Sequence, residues 1–146
     1  MGRFITNVPQ NIFPSGFFGP FNISFGNGNG WDLTVIQSTT GESWGTLDII
    51  AHELTHSFTR NSSNLYYGGE SGAINEAISD IIGTSVERKT ITNWDWLVAN
   101  EIPSIPAIRS MQNPLLFNDP EIYNGANWRN TNPNANDNGG VHHNRA

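Results

Sequence analysis

His52-Glu53-Leu54-Thr55-His56 places two histidines four residues apart, with a glutamate directly after the first. An α-helix turns once in about 3.6 residues, so side chains at this spacing project from the same face. Two neutral imidazoles on one face can bind a single Zn²⁺ ion, and the adjacent glutamate can act as a general base. The pattern alone leaves a second interpretation open, an amphipathic helix with two surface histidines.

Composition restricts the class of protein and the kind of site. The 146 residues suffice for one domain with a modest core, and 5 Trp and 8 Phe argue against a disordered chain. The formal net charge of -6, with no basic run, argues against a nucleic-acid partner. Because there is no cysteine, zinc would have to be held by histidine and carboxylate.

Neither a membrane span nor a leader is predicted from the hydropathy pattern. No apolar run approaches the roughly 20 residues that a membrane-spanning helix needs. The first residues of the chain lack the apolar core of a signal peptide. We therefore expect no membrane partner, and we expect either that the protein is intracellular or that a targeting segment lies outside this chain.

Periodicity along the chain predicts strands first and helices second. Residues 1–45 contain short runs in which apolar and polar residues alternate, as at 21–25, and these are typical of half-buried strands. Helical spacing of apolar residues predicts helices over residues 46 to about 60 and about 71 to 88. After residue 90, prolines exclude long helices; they are Pro103, Pro106, Pro114, Pro120 and Pro133.

Both predicted helices combine an apolar stripe with polar residues that need partners. Ile50, Leu54 and Phe58 form the stripe on the first helix, and Glu76 and Asp80 lie four residues apart on the second. A carboxylate that faces a core is costly unless it is paired. A metal would pair with Glu76, and a metal-bound histidine with Asp80. The alternative is that both carboxylates are solvated.

Three motifs, in this order, resemble those of the thermolysin-like neutral zinc metalloproteases. The first is the HExxH pattern at 52–56, the second is Gly72-Ala-Ile-Asn-Glu76-Ala-Ile-Ser-Asp80, and the third is Asp137-Asn-Gly-Gly-Val-His142. The resemblance extends from about Asn11 to Asn144. Three coordinated motifs are far more specific than one, and they favour a zinc site over two surface histidines.

The resemblance implies an α+β fold, the thermolysin-like zincin core. Its parts would be short N-terminal β-strands, two zinc-binding helices and a long irregular C-terminal segment. We therefore predict one catalytic core over residues 1–146, incomplete at both ends relative to the family. Within it, 1–45 would form a β-rich substrate-binding edge, 46–90 the two helices, and 91–146 the irregular part.

The resemblance also implies a zinc-dependent endopeptidase. His52, His56 and Glu76 would hold Zn²⁺ and leave one position open for water. Glu53 would activate the zinc-bound water and later pass the proton to the leaving amine. Asp80 would not bind the metal itself but would orient His52 through a hydrogen bond.

Further residues correspond to the family's oxyanion donors. His142 matches a donor histidine, and Asp137 matches the carboxylate that orients it. Tyr67, nine residues before Glu76, falls where the family has a second donor, with Tyr66 as the competing candidate. Such donors stabilise the charge that develops on the carbonyl oxygen during peptide hydrolysis.

Substrate contacts are implied at four positions. Arg109 matches an arginine that contacts the substrate carbonyl, and Asn11 matches an asparagine that binds substrate backbone. Ile49 and Ile108 would line an apolar pocket for the residue after the scissile bond. The implied specificity is for a bulky apolar residue at that position of a peptide or protein substrate.

A calcium site is implied beside the helices. Asp48, Glu87 and Asp95 stand where family ligands stand, and carboxylate oxygens suit Ca²⁺. Leu97 and Asn100 occupy the positions of two further family carboxylates, although Glu101 is adjacent to Asn100. We therefore predict one Ca²⁺ ion rather than two.

Two hypotheses of different classes account for these motifs. The chain is an active zinc endopeptidase, or it is a weak or inactive zinc-binding remnant of one, because the flanking segments of its parent would normally cover the helices. Without them the apolar stripes are expected to be partly exposed. A zinc hydrolase of another substrate class is disfavoured by Arg109 and the 137–142 motif. Extracellular placement is implied by the resemblance alone.

Overall fold

Two α-helices dominate the part of the chain that the computed structural model describes, residues 45–145. Helix α1 spans Leu47–Ser62 and helix α2 spans Gly69–Thr90. They correspond to the helices predicted over 46–60 and 71–88. The predicted N-terminal strands, and Asn11 with them, lie outside the described residues. Both helices belong to one compact unit, which begins at Leu47.

Charges at the ends of α1 and α2 agree with the helix dipole. Asp48 lies in the first turn of α1 and Arg60 in its last. Glu70 lies in the first turn of α2, and Arg88 and Lys89 lie in its last. Acidic groups are favoured near the positive N-terminal end of a helix and basic groups near the negative C-terminal end. Local sequence therefore supports both helices before any tertiary contact forms.

Small and polar residues form the surface on which α1 and α2 meet. The buried residues of α1 are Asp48, Ala51, His52, Thr55 and Thr59. Leu54 and Phe58 of the apolar stripe are instead 39% and 66% exposed. The predicted partial exposure of this stripe is thus confirmed, and the face with the functional side chains is the one that α2 covers.

Gly83 of α2 lies where the backbones of the two helices approach closely. A Cβ atom at this position would lie 2.6 Å from the carbonyl oxygen of Asp48 and 3.5 Å from Cβ of His52. The first distance is far below van der Waals contact, and its partner is backbone. A side chain at residue 83 would therefore push α1 and its first histidine away from α2.

We expect Gly83→Ala to lower the free energy of unfolding by about 1–3 kcal/mol, the usual cost of overpacking. Denaturant titration of both proteins would measure the difference. Ser85→Ala, at an exposed position on the same helix, is the matched control and should change little. Equal stability of Gly83→Ala and the unaltered chain would contradict the close approach.

A two-stranded antiparallel sheet follows the helices. Strand β1 (Leu97–Val98) pairs with strand β2 (Arg109–Ser110), with Leu97 opposite Ser110 and Val98 opposite Arg109. The Ala99 N–H donates a 2.6 Å hydrogen bond to Asp48 Oδ2 and so ties this region to α1. Buried apolar residues in this region are Val98, Ala99 and Ile102. Strand β2 is thereby held where Arg109 reaches α2.

After residue 110 the described part of the chain is mostly irregular, as predicted. A 3₁₀ helix spans Pro114–Phe117, and α3 spans Asn136–Gly140. Helices with a two-stranded sheet make residues 45–145 an α+β structure, which agrees with the predicted class. Over the same residues, no helix combines the length and apolar character required to span a membrane.

Helix α3 is a single turn of unusual backbone. Asp137, Asn138, Gly139 and Gly140 all have positive φ angles, of 57°, 50°, 88° and 71°. Asparagine, aspartate and glycine are the residues that tolerate this left-handed region best. At Gly139 a Cβ atom would also lie 2.8 Å from the Thr131 carbonyl oxygen. The Asp-Asn-Gly-Gly sequence therefore matches the backbone that precedes His142.

Candidate active site

His52, His56 and Glu76 come together where α1 faces α2. His52 Nε2 lies 3.0 Å from His56 Nε2 and 3.3 Å from Glu76 Oε2, and His56 Nε2 lies 3.4 Å from Glu76 Oε1. The Glu76 residue is 0% exposed, and His52 is also buried. Helical spacing brings the histidines together, whereas the packing of α2 on α1 brings the carboxylate to them.

The donor set and its spacing fit a zinc ion. Two imidazole nitrogens and one carboxylate oxygen are typical zinc ligands, with bonds of about 2.0–2.1 Å. Tetrahedral bonds of that length separate ligand atoms by about 3.3 Å. The two imidazole nitrogens here are 3.0 Å apart, and they lie 3.3 and 3.4 Å from the two Glu76 oxygens. Glu76 Oε2 is also buried with no hydrogen-bond partner. A buried carboxylate oxygen without a donor is costly, and a bound cation would remove that cost.

Each histidine has a polar partner behind it. His52 Nδ1 lies 2.7 Å from Asp80 Oδ1, and His56 Nδ1 lies 3.0 Å from Asn75 Oδ1. Thr59 donates a 2.7 Å hydrogen bond to the same Asn75 oxygen. If each Nδ1 carries the proton and donates it to these oxygens, each Nε2 is left free to bind a metal.

Asp80 is the centre of a buried charge network. Arg109 donates from Nε to Asp80 Oδ2 at 2.7 Å and from Nη2 to Oδ1. Arg145 Nε lies 3.0 Å from Asp80 Oδ2. Burial alone would raise the pKa of Asp80, but Arg109, His52 and Arg145 outweigh it and hold the pKa well below its usual range. The carboxylate is therefore anionic where it faces His52.

Opposed charges also shift the pKa values of two of the clustered residues, His52 and Glu76. Burial alone would lower the pKa of His52, but Asp80 and Glu76 outweigh this and raise it to about 9. Burial would raise the pKa of Glu76, but the nearby imidazoles, His52 first among them, hold it well below its ordinary value. A cation in the site would replace the proton on His52, since a metal binds only the neutral imidazole.

Tyr67, His142 and Asp137 form a second group beside Glu76. The Tyr67 hydroxyl donates to Glu76 Oε1 and lies 3.0 Å from His142 Nε2. The Asp137 carboxylate makes two hydrogen bonds with His142. One is with the ring Nδ1, and the other is accepted from the backbone N–H at 2.9 Å. Tyr66 is instead 66% exposed. Of the two candidate tyrosines, the structure thus brings Tyr67 to the cluster.

His143 and Asp137 make one further contact. His143 Nδ1 lies 3.4 Å from Asp137 Oδ2, and the His143 side chain is partly exposed. Burial alone would raise the pKa of Asp137, but its hydrogen bonds with His142 and His143 hold the pKa well below the ordinary value. Asp137 is thus an anionic acceptor for the His142 ring.

Glu53 is half-buried on α1, one residue after His52. Its charge is close enough to contribute to a raised pKa of Tyr67, for which burial and Glu76 are the larger causes. The high pKa keeps the Tyr67 hydroxyl protonated, as a hydrogen-bond donor must be. Tyr67 and His142 thus lie beside Glu76, and Glu53 directly follows His52 on α1.

The predicted substrate residues differ in their surroundings. Ile49 and Ile108 are both half-buried, on α1 and just before β2. The guanidinium of Arg109 donates hydrogen bonds to Asp80, and its Nη2 atom lies 3.4 Å from His52 Nδ1. The structure thus gives Arg109 a contact behind the histidine that its predicted role with substrate did not include.

A second acidic group lies at the end of α2. Carboxylate oxygens of Asp48, Glu87 and Glu101 all lie within 4.8 Å of one another. Asp95, predicted as the third member, instead accepts hydrogen bonds from the Leu97 N–H and the Asn100 side chain. Burial, then Glu101, Asp48 and Asp95, raise the pKa of Glu87 to about 8.

Three residues of these networks were not predicted from the sequence: Glu101 as a member of the acidic group, and Arg145 and Asp119 near Asp80. Arg145 Nη2 lies 3.1 Å from Asp119 Oδ2, and each of the two side chains is only 8% exposed. The only sequence signal for Glu101 was that it is adjacent to Asn100, which occupies the position of a family carboxylate. For Arg145 the available signal was its position three residues after His142, in a chain with only 7 lysines and arginines.

Comparison with known proteins places this geometry in a family context. A family model described as thermolysin metallopeptidase, alpha-helical domain, matches residues 63–146. The chain is 41% identical over 136 residues to a bacillolysin of Bacillus cereus, a match that covers 90% of this chain and 22% of that protein. It is 42% identical over 116 residues to a zinc metalloproteinase of Renibacterium salmoninarum, covering 74% and 21%.

A third relative is a thermolysin of Alicyclobacillus acidocaldarius subsp. acidocaldarius. The identity is 45% over 104 residues, and the match covers 68% of this chain and 18% of that protein. The chain therefore spans about a fifth of the length of the curated relatives it matches.

Proposed function

This chain belongs to the thermolysin metallopeptidase family, and on that premise we propose that it is a zinc-dependent endopeptidase. The observation that carries the proposal is the convergence of His52, His56 and Glu76, with ligand atoms 3.0 to 3.4 Å apart. The unpartnered, buried Glu76 Oε2 supports the same interpretation. The relatives named bacillolysin, thermolysin and zinc metalloproteinase support the reaction class.

His52, His56 and Glu76 would hold the zinc ion. When bound, zinc acts as a Lewis acid that polarises a water molecule and the scissile carbonyl. Asp80 and Asn75 fix the two imidazole rings by accepting hydrogen bonds from their Nδ1 atoms. Outer partners of this kind usually matter for metal affinity because they set the ring orientation and the basicity of the nitrogen that binds.

Glu53 is the proposed general base. It neighbours a zinc ligand on the same helix and is half-buried, so its carboxylate can face the reacting water without being shielded from it. It would take the proton from the attacking water and later pass it to the leaving amine. General-base catalysis of this kind typically contributes 10²–10⁴-fold to the rate.

Tyr67 and His142 are the proposed oxyanion donors. Their polar atoms are 3.0 Å apart, so both can reach one developing oxyanion. Asp137 holds the His142 ring in place and leaves Nε2 directed toward Tyr67. Donors that are fixed in place before the reaction cost no reorganisation when the tetrahedral state forms.

Substrate contacts complete the proposed site. Ile49 and Ile108 would contact a bulky apolar residue after the scissile bond, and Arg109 would contact a substrate carbonyl while bonded to Asp80. Asn11 stays a prediction outside the described residues. The single-core division of residues 1–146 and the extracellular location implied by the resemblance also stay predictions.

Metal removal tests the proposal directly. The purified chain should contain about one zinc per molecule and cleave an unfolded protein substrate before bulky apolar residues. A chelator should abolish cleavage, and added Zn²⁺ should restore it. Zinc without cleavage would support the inactive remnant instead, and a chain with neither would contradict the zinc site itself.

Tyr67→Phe is expected to lower kcat on the order of 10²-fold, because one oxyanion donor is lost. Zinc content should not change, since the hydroxyl is not a ligand. Tyr66→Phe is the matched control on the neighbouring residue, whose ring is exposed, and should keep full activity. Steady-state kinetics of both variants would measure the difference, and a larger loss in Tyr66→Phe would reverse the assignment.

We further propose that Asp48, Glu87 and Glu101 bind one Ca²⁺ ion, with Asp95 nearby rather than among the three. Glu87 Oε2 and Asn100 Oδ1 are buried without a hydrogen-bond partner in the part of the chain that the structure describes. Three carboxylates within 4.8 Å repel one another unless a proton or a cation separates them. Hard oxygen ligands are those that Ca²⁺ prefers.

Calcium at about 100 times its Kd should raise the free energy of unfolding by about 2.7 kcal/mol. Without the ion, the raised pKa of Glu87 favours folding while the group is protonated, and that contribution is lost as the pH rises through about 8. Stabilisation by calcium should therefore be larger above this pH than below it. Glu87→Gln should abolish the effect in thermal melts, whereas the exposed Glu121→Gln should retain it.

A further inference from the structure

Arg145 carries a buried guanidinium that the proposed reaction does not use. Its side chain is 8% exposed, and its Nε and Nη2 atoms lie 3.0 Å from Asp80 Oδ2 and 3.1 Å from Asp119 Oδ2. Burial lowers the pKa of Arg145, and the charge of Arg109 lowers it further. A buried cation is tolerated only where anions pair with it, so Asp80 and Asp119 together account for its position.

Arg145 completes the set of contacts on the Asp80 carboxylate. Oδ1 faces His52 Nδ1 at 2.7 Å and also accepts from Arg109 Nη2. Oδ2 accepts from Arg109 Nε at 2.7 Å and faces Arg145 at 3.0 Å. Both oxygens are therefore held by cations, and rotation of the carboxylate away from His52 would break contacts to both arginines.

The network joins four separate segments. His52 comes from α1, Asp80 from α2, Arg109 from β2, and Arg145 from the segment that follows His142. Arg145 thereby connects the segment with the proposed oxyanion histidine to the carboxylate behind a proposed zinc ligand. Asp119 anchors the guanidinium from the other side.

We propose that Arg145 is a positioning residue for the zinc site, which together with Arg109 holds Asp80 against His52. The inference rests on the proposed zinc function, since its consequence is the orientation of a zinc ligand. Buried ion pairs commonly contribute little net stability compared with apolar packing. Removing Arg145 alone would also leave Asp119 unpaired and so destabilise the fold. Its positioning role is therefore tested by zinc affinity, measured on variants that are shown to be folded.

Zinc affinity, measured by competition with a chromophoric chelator, tests the inference without depending on catalysis. Arg145→Ala should weaken zinc binding on the order of 10-fold, and Asp80→Asn by about 10–100-fold, the range typical of partners behind a metal ligand. Arg145→Lys keeps a charge near Asp80 but cannot reach Asp119 with a second N–H group, so its affinity should be intermediate. Arg129→Ala, which removes an exposed arginine, should bind zinc as the unaltered chain does.

A double-mutant cycle separates positioning from a general structural role. Because Arg145 is proposed to act through Asp80, adding Arg145→Ala to Asp80→Asn should cause little further loss of zinc affinity. The inference would be overturned if Arg145→Ala lowered zinc affinity equally in the unaltered chain and in Asp80→Asn. It would also be overturned if Arg145→Ala alone left zinc affinity unaltered. If circular dichroism shows that Arg145→Ala does not fold, the cycle is measured with Arg145→Lys.

The outcomes also separate this inference from the proposed function. Zinc binding that Asp80→Asn weakens and Arg145→Ala does not would overturn the role of Arg145 and leave the zinc site standing. Zinc binding without proteolysis would contradict the endopeptidase, while the affinity cycle would still decide the role of Arg145. An unaltered chain that binds no zinc would contradict both.

Discussion

Glu53→Gln is expected to reduce cleavage of a protein substrate by about 10²–10⁴-fold, the contribution of a positioned general base. The amide has the size of the carboxylate but cannot accept a proton at neutral pH. Zinc content should stay at the level of the unaltered chain, because Glu53 is not among the three clustered residues. The effect should fall on kcat, since the proton is transferred in the chemical step.

Paired measurements make this expectation decisive. Metal content and steady-state cleavage would be determined on the same preparations, with Glu121→Gln as the control because it removes an exposed carboxylate. Full activity in Glu53→Gln would exclude it as the base. Loss of zinc together with activity would instead mean that Glu53 supports the metal site.

Glu76→Gln is expected to have the largest effect on metal binding. It replaces the one anionic member of the three-residue cluster by a neutral amide. The loss of zinc affinity should exceed the roughly 10–100-fold that the loss of an outer partner costs. Because Glu76 is 0% exposed and accepts from Tyr67, the same change should also disturb the position of that hydroxyl.

Competition with a chelator would measure this affinity, with circular dichroism to verify folding. Glu70→Gln is the matched control, an exposed glutamate in the first turn of the same helix. Zinc affinity in Glu76→Gln within 10-fold of the unaltered chain would rule out Glu76 as a ligand. In that case the buried, unpartnered Oε2 would need another explanation.

The exposed apolar residues bear on which of the two functional hypotheses holds. Phe58, Ile74 and Ile81 are each more than half exposed. Where such residues form a contiguous patch, the patch commonly marks a surface that contacts another part of a protein, a partner or a ligand. The arrangement of the proposed metal ligands does not depend on whether the outer faces of the helices are covered. Zinc binding and catalysis therefore have to be measured separately.

Local sequence determines those features that depend on helical spacing. His52 and His56 share a face because they are four residues apart, and the same holds for Glu76 and Asp80. The left-handed backbone at residues 137–140 likewise follows from Asp, Asn and Gly at those positions. Membership of the zinc metallopeptidase family could be predicted because three such local motifs occur in one order.

Only the tertiary structure decided the contacts between residues distant in sequence. Arg145 contacts Asp80 although the two residues are 65 positions apart in the sequence (145 − 80), and no periodicity predicts such a pair. Glu101 rather than Asp95 joins Asp48 and Glu87, because Asp95 is held by Leu97 and Asn100. Side-chain spacing follows from the local backbone, whereas these pairings depend on how separate segments pack, and that is set by the whole fold.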